Sequence, residues 1–171
     1  MTAIFSPCQR YRYRLDRPLQ RPGPTIAFML HNPSTANAEQ DDPTSRRGIG
    51  FAQRWNAGRM VFVNPFAGIA TQPIDLWKMD DPVGPDNTSH IAAVALEVTN
   101  SKGFFVFAWG AISPPAVLRD KVREHLHDVE VSVRAYCVDI RCFGRTQSGD
   151  PRHPLYLRND TCLQNWSSYA D

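Results

Sequence analysis

The sequence predicts an α/β fold, a three-layer α/β/α sandwich around a central, mainly parallel four-stranded sheet. Three observations carry that expectation. Apolar runs of strand length recur along the chain, helix-periodic segments separate them, and the runs are apolar on both faces, as strands covered on both sides must be. Strands joined through helices need right-handed crossovers and so lie parallel. With 171 residues, 42% apolar and 21% charged, the chain has the size and composition of one domain, and residues 1–171 read as a single α/β unit. No fixed-period repeat, low-complexity tract or linker divides it.

The elements follow in order. Tyr11-Arg12-Tyr13-Arg14-Leu15 alternates with period two, which predicts an edge strand with aromatic rings inward and arginines in solvent. Thr25-Ile26-Ala27-Phe28-Met29-Leu30 is a continuous apolar run between Pro24 and Pro33, the first central strand. Asp41-Asp42-Pro43-Thr44-Ser45 is turn chemistry, favoured over a magnesium site, and Thr44 or Ser45 would cap a helix from Arg46 to Trp55. Ile49, Phe51, Ala52 and Trp55 share one face of it. Arg59 to Phe66 holds a second strand that stops at Asn64-Pro65, as the first stops at Asn32-Pro33.

A proline-rich connection, Pro73 to Pro85, leads to a helix from about Asn87 to Asn100 with Ile91, Val94, Ala95 and Val98 inward. Gly103 opens a third strand, Phe104 to Gly110. Pro114 and Pro115 suit the first turn of a helix through about Asp128, with Val117, Leu118, Val122 and Leu126 inward. Val131 to Phe143 reads as one bent strand or two short ones before the glycine-rich loop Gly144 to Pro151.

Bulk properties narrow the function. The net charge of +2 is too mild to demand a nucleic-acid partner, although Arg10, Arg12, Arg14, Arg17 and Arg21 crowd the N-terminal part. No apolar run approaches the roughly 20 residues of a membrane span, and Met1 to Pro7 lacks the basic start of a secretory signal, so a cytoplasmic protein without membrane contact is expected. Cys8, Cys137, Cys142 and Cys162 form no CxxC pair, so neither a metal nor a disulfide framework is expected, and no cofactor is implied. His90, His125 and His127 fall on helix surfaces and receive no role.

Chemistry is expected where strands end, because in α/β proteins those exits gather at one edge of the sheet. Two such exits stand out: Met29-Leu30-His31-Asn32-Pro33-Ser34-Thr35 and Arg152-His153-Pro154-Leu155-Tyr156-Leu157. Through Cys8-Gln9-Arg10-Tyr11-Arg12-Tyr13, Asn32-Pro33-Ser34-Thr35-Ala36, Asp41-Asp42-Pro43-Thr44, Ala108-Trp109-Gly110 and His153-Pro154-Leu155-Tyr156, the chain resembles the family catalogued as domain of unknown function 1643, found in phages and bacteria. That resemblance spans nearly the full length and names no activity.

The order of the strand-end motifs also resembles the uracil-DNA glycosylase superfamily: Asn32-Pro33 after the first strand, Asn64 after the second, Trp109-Gly110 after the third and His153-Pro154 after the fourth. This second resemblance implies a glycosylase-like fold and metal-free cleavage of a nucleobase N-glycosidic bond in DNA or a nucleotide. Asn32 would orient water at the sugar C1′, Asn64 would read the base edge, and His153 would stabilise charge on the departing base. Asn32 replaces a carboxylate, so hydrolysis would be slower, and Leu155-Tyr156 stand where the superfamily has a serine-led loop.

Asn32 and His153 are therefore the candidate catalytic residues. The candidate substrate-binding residues are His31, Pro33, Ser34, Asp42, Arg46, Asn64, Trp109, Arg145, Thr146 and Arg152. Arg145, Thr146 and Arg152 belong to the glycine-rich loop, which could cradle a phosphate. The partner would be a nucleic acid, a nucleotide or a nucleobase. Two other classes remain: a non-catalytic reader of modified bases or an accessory protein, and a nucleotidyl or glycosyl transferase built on the Gly144 to Pro151 loop.

Overall fold

The computed structural model describes residues 1–34, 36 and 39–167; Thr35 of the Asn-Pro-Ser-Thr motif lies outside them. The strands are β1 (Thr2–Phe5), β2 (Arg12–Pro18), β3 (Thr25–Met29), β4 (Arg59–Val63), β5 (Phe105–Phe107), β6 (Ile140–Cys142) and β7 (Gln164–Asn165). The helices are α1 (Pro43–Arg54), α2 (Pro73–Leu76), α3 (Asn87–Asn100) and α4 (Arg119–Arg134), with single 3₁₀ turns at Ala116–Leu118 and Pro154–Tyr156.

All seven strands form one sheet in the order β1-β2-β4-β3-β5-β6-β7. The pairs β4/β3, β3/β5 and β5/β6 are parallel. The pairs β1/β2, β2/β4 and β6/β7 are antiparallel. The sheet is thus mixed and seven-stranded rather than four-stranded. β1 has only four residues, and the two polar residues of β7 carry no hydrophobic pattern, so neither announces itself in sequence.

The chain passes from β3 through α1 to its neighbour β4, then through α3 back across β3 to β5 on the other side. The direction of winding therefore reverses at β3, and the ends of β3 and β5 part there to leave a crevice. Side-chain alternation divides the interior in two. Ala27, Met29, Val61, Val63, Phe105 and Phe107 pack with α3 and α4 on one face. Ile26, Phe28, Met60, Phe62 and Val106 pack with Phe51 and Ala52 of α1 on the other.

β2 departs most from expectation. It lies between β1 and β4 rather than at an edge, and Arg12, Arg14 and Arg17 are buried rather than solvated. A buried guanidinium is tolerated where acceptors meet it. Arg14 bonds both oxygens of Asp16, at 2.8 and 3.0 Å, and both of Glu97, at 2.6 Å. Arg17 bonds Asp41 at 2.6 Å and the Asp16 carbonyl at 3.0 Å. Arg59 reaches Asp16 as well.

Smaller corrections concern element ends. The cap of α1 is Asp42, whose Oδ1 accepts from Ser45 N at 2.6 Å, because Pro43 occupies the first helical position, where a missing N–H costs nothing. α4 starts after the 3₁₀ turn and runs to Arg134, since the helical spacing of apolar residues continues through buried Leu126, Val129 and Val133. Val131 is therefore helical, Val117 is exposed, and the following strand is only Ile140–Cys142. His90 stacks on Tyr13 with ring centroids 4.7 Å apart, and His125 Nε2 lies 2.7 Å from the Pro65 carbonyl, so both have structural contacts.

Candidate functional site

A cavity of about 530 Å³ opens at the ends of β3 and β5. The chain leaving β3 supplies Leu30, His31, Asn32 and Ser34, and the chain leaving β5 supplies Trp109, Gly110 and Ala111. Arg12, Asp42 and the segment around Arg152 and His153 complete it. Of the sequence candidates, His31, Asn32, Ser34, Asp42, Trp109, Thr146, Arg152 and His153 share this wall.

The loop after β3 is held by its own amides. Asn32 Nδ2 donates to the carbonyls of Pro33, at 2.9 Å, and Ala70, at 2.8 Å. Both partners are acceptors, which identifies the NH₂ end and leaves Oδ1 as the group able to accept. An Oδ1 so fixed can receive a hydrogen bond from water but cannot take its proton. His31 packs its ring edge-on to Phe66, with centroids 5.9 Å apart, and its Nε2 is buried without a partner among the described residues. Burial, helped by nearby His153, pushes the His31 imidazole down to about 4.

His153 is positioned from two sides. Gly110, at φ +77°, lets the backbone pass where an added Cβ would sit 3.1 Å from His153 Cβ, and Gly110 N donates to the Pro151 carbonyl at 2.8 Å. His153 also caps the 3₁₀ turn that Pro154 begins, its Nδ1 accepting from Leu155 N at 3.3 Å. That bond fixes the tautomer: the proton sits on Nε2, which becomes a donor. Burial pushes this ring down to about 4, with Asp42 opposing, so it is neutral at pH 7.

Trp109 is 2% exposed and packs tilted against Phe107, centroids 4.8 Å apart, with its Nε1–H buried and without an acceptor among the described residues. A buried donor without an acceptor costs about 1–3 kcal/mol, which a ligand acceptor would recover.

Four candidates do not line the cavity. Asn64 is buried behind it, its Nδ2 donating to the Leu30 carbonyl at 3.0 Å, so it ties the ends of β3 and β4 together. Pro33 is buried in the loop. Arg46 is exposed and bonds the Asp41 carbonyl at 2.5 Å. Arg145 lies over the Trp166 ring at 4.0 Å and bonds Gly149 and Ser167, clamping the glycine-rich loop to the C-terminal segment. Thr146 N and Gly149 N donate to carbonyls within that loop, so these amides are already occupied.

Of the cavity residues missing from the sequence candidates, Arg12 and Tyr156 bear most on the chemistry. Period-two alternation assigns Arg12 to solvent, yet it is 5% exposed and reaches the cavity. Tyr156 stands 88% exposed at the cavity wall, and its place in His153-Pro154-Leu155-Tyr156 is the available signal. Among the described residues, no three His, Cys, Asp or Glu side chains come together as a metal site would need. None of their helices is long and apolar enough to cross a membrane.

A family model described as "protein of unknown function (DUF1643)" matches residues 12–155, most of the chain. The chain belongs to the DUF1643 family. No curated protein and no solved structure matches it. The DUF1643 match begins at Arg12 and ends at Leu155, and so takes in β2 to β6 and the cavity-lining residues from Arg12 through His153.

Proposed function

We propose that the cavity receives a nucleobase and that the protein cleaves its N-glycosidic bond, as a glycosylase-like hydrolase acting on DNA or a nucleotide. One observation carries this reading: Asn32 after β3, Trp109 after β5 and His153 after the glycine-rich loop line one cavity at the point where the winding of the sheet reverses. Their order along the chain resembles that of the uracil-DNA glycosylase superfamily, and a glycosylase-like fold is part of the proposal.

The chemistry follows from the two polar ends. Water held by Asn32 Oδ1 adds its oxygen to C1′ as the C1′–N bond breaks, and the electron pair of that bond leaves with the base. His153 Nε2–H donates to the base carbonyl oxygen on which negative charge gathers. Water's second proton passes to solvent after the bond has broken, because an amide is no base, and the departing base anion takes a proton back from solvent, so the products are the sugar hydroxyl and the neutral base. Exposed Tyr156 offers an aromatic face to the flipped base.

Release of free base, followed by mass spectrometry from single- and double-stranded oligonucleotides and nucleotides carrying uracil, hypoxanthine, xanthine or modified bases, tests the proposal. His153→Ala should lower the rate at least about 100-fold, the usual scale for losing an oxyanion donor. No release from any substrate by wild type would overturn hydrolysis.

A second reading is favoured by one observation. Among the described residues that line the cavity the one carboxylate, Asp42, serves as the cap of α1, and an amide, Asn32, stands where the superfamily has its carboxylate. A non-catalytic reader of modified bases would bind them and form no product, with wild type and Asn32→Ala alike.

A further inference from the structure

We infer that the Arg12 side of the cavity is an anion subsite that takes the phosphate of the ligand. Arg12 is a cation buried to 5% exposure, yet among the described residues no carboxylate lies within 4 Å of it. Its neighbours on β2 show the contrast: Arg14 and Arg17 are equally buried, and each holds an aspartate. Arg12 has the Ala36 carbonyl on Nη1, and its Nε–H is buried without an acceptor among the described residues. A guanidinium withdrawn from water with donors left over is costly unless an acceptor arrives.

The cavity supplies the place for that acceptor. Arg12 lines it together with Arg152, a second guanidinium that holds no carboxylate among the described residues, and with Ser34 and Thr44, whose hydroxyls can donate. Asp42 lies on the same wall, and its charge acts on Arg12 and opposes an anion, although no carboxylate oxygen among the described residues comes within ion-pair distance of the guanidinium. His31 and His153 also face the cavity, and neither adds charge at neutral pH. Two planar forks and two hydroxyls suit a group with several oxygens, which a phosphate has. A free nucleotide and a nucleic-acid strand both present that chemistry. Naming the ligand as a nucleotide rests on the proposed base pocket; the anion subsite itself does not.

Calorimetric titration of the full chain with inorganic phosphate, a nucleoside, its 5′-monophosphate and a short single-stranded oligonucleotide tests both points. The expected result is measurable phosphate binding and a monophosphate bound at least about tenfold more tightly than its nucleoside. Arg152→Ala, at an exposed position, and Arg12→Met should each weaken phosphate binding about tenfold, whereas Arg12→Lys should retain part of it. Monophosphate preferred over oligonucleotide would identify the source as a free nucleotide, and the reverse would identify a strand. Phosphate binding indifferent to the base keeps the subsite and removes the base pocket. A nucleoside bound as tightly as its monophosphate keeps the base pocket and overturns the subsite, as would phosphate binding that survives both Arg152→Ala and Arg12→Met. Absence of binding by every probe overturns both.

Discussion

His31 and His153 bring two imidazoles to one cavity, and both are held neutral by burial. Each ring falls from its ordinary 6.5 to about 4, so between these values the native protein binds fewer protons than the unfolded chain. Their contribution to stability is therefore complete above about pH 6.5 and is lost as the pH falls through about 4. Allowing for partial solvent contact, we expect each ring to contribute on the order of 2 kcal/mol. Urea unfolding at pH 7.5, 6 and 5 should show stability falling with acid, and His153→Ala should flatten the slope by about half. An unchanged slope in the variant would remove His153 from that account.

At the scale of elements, α1 shows how a local cap and a cavity wall can be one residue. Asp42 satisfies Ser45 N and also stands in the cavity. Asp42→Ala should cost about 1 kcal/mol, the usual worth of such a cap, and Asp42→Asn only a few tenths. Thermal unfolding of the two variants separates capping from charge, because equal losses in both would assign the effect to the carboxylate's charge. The element boundaries also show what sequence can disclose. β3, β4 and α3 are legible because their apolar patterns are long and bounded by proline or asparagine. β1 and β7 are not, because pairing with a neighbour, rather than their own pattern, makes them strands. Asn32 and Trp109 can be picked out because they follow apolar runs, and His153 because it stands in a His-Pro step after a glycine-rich loop. Arg12 cannot, because alternation gives the side of a strand a residue lies on and is silent about whether a loop or helix covers that side.

Across the whole molecule, a charge network, buried at Arg14 and Asp16 and open to solvent at Arg59 and Glu97, joins β2, β4 and α3. Asp16 accepts from Arg14 and Arg59, and Glu97 accepts from the same two. Removing one member leaves opposite charge uncompensated, which matters more than the attraction itself. Asp16→Ala should lower unfolding free energy by about 3 kcal/mol, read from equilibrium denaturation. A loss below about 0.5 kcal/mol would mean that Glu97 alone satisfies both arginines.

The cavity draws its wall from the start of β2, the ends of β3 and β5, the first turn of α1 and the segment after the glycine-rich loop. No stretch of the chain contains it, so the unfolded protein has no remnant of it to offer a ligand. Occupancy is consequently thermodynamically linked to folding as a whole: a ligand at 100 times its dissociation constant adds about 2.7 kcal/mol to global stability, whatever reaction follows. The melting transition of this protein is thus itself a detector for its unknown ligand, and a library of small molecules can be screened against it before any turnover is known.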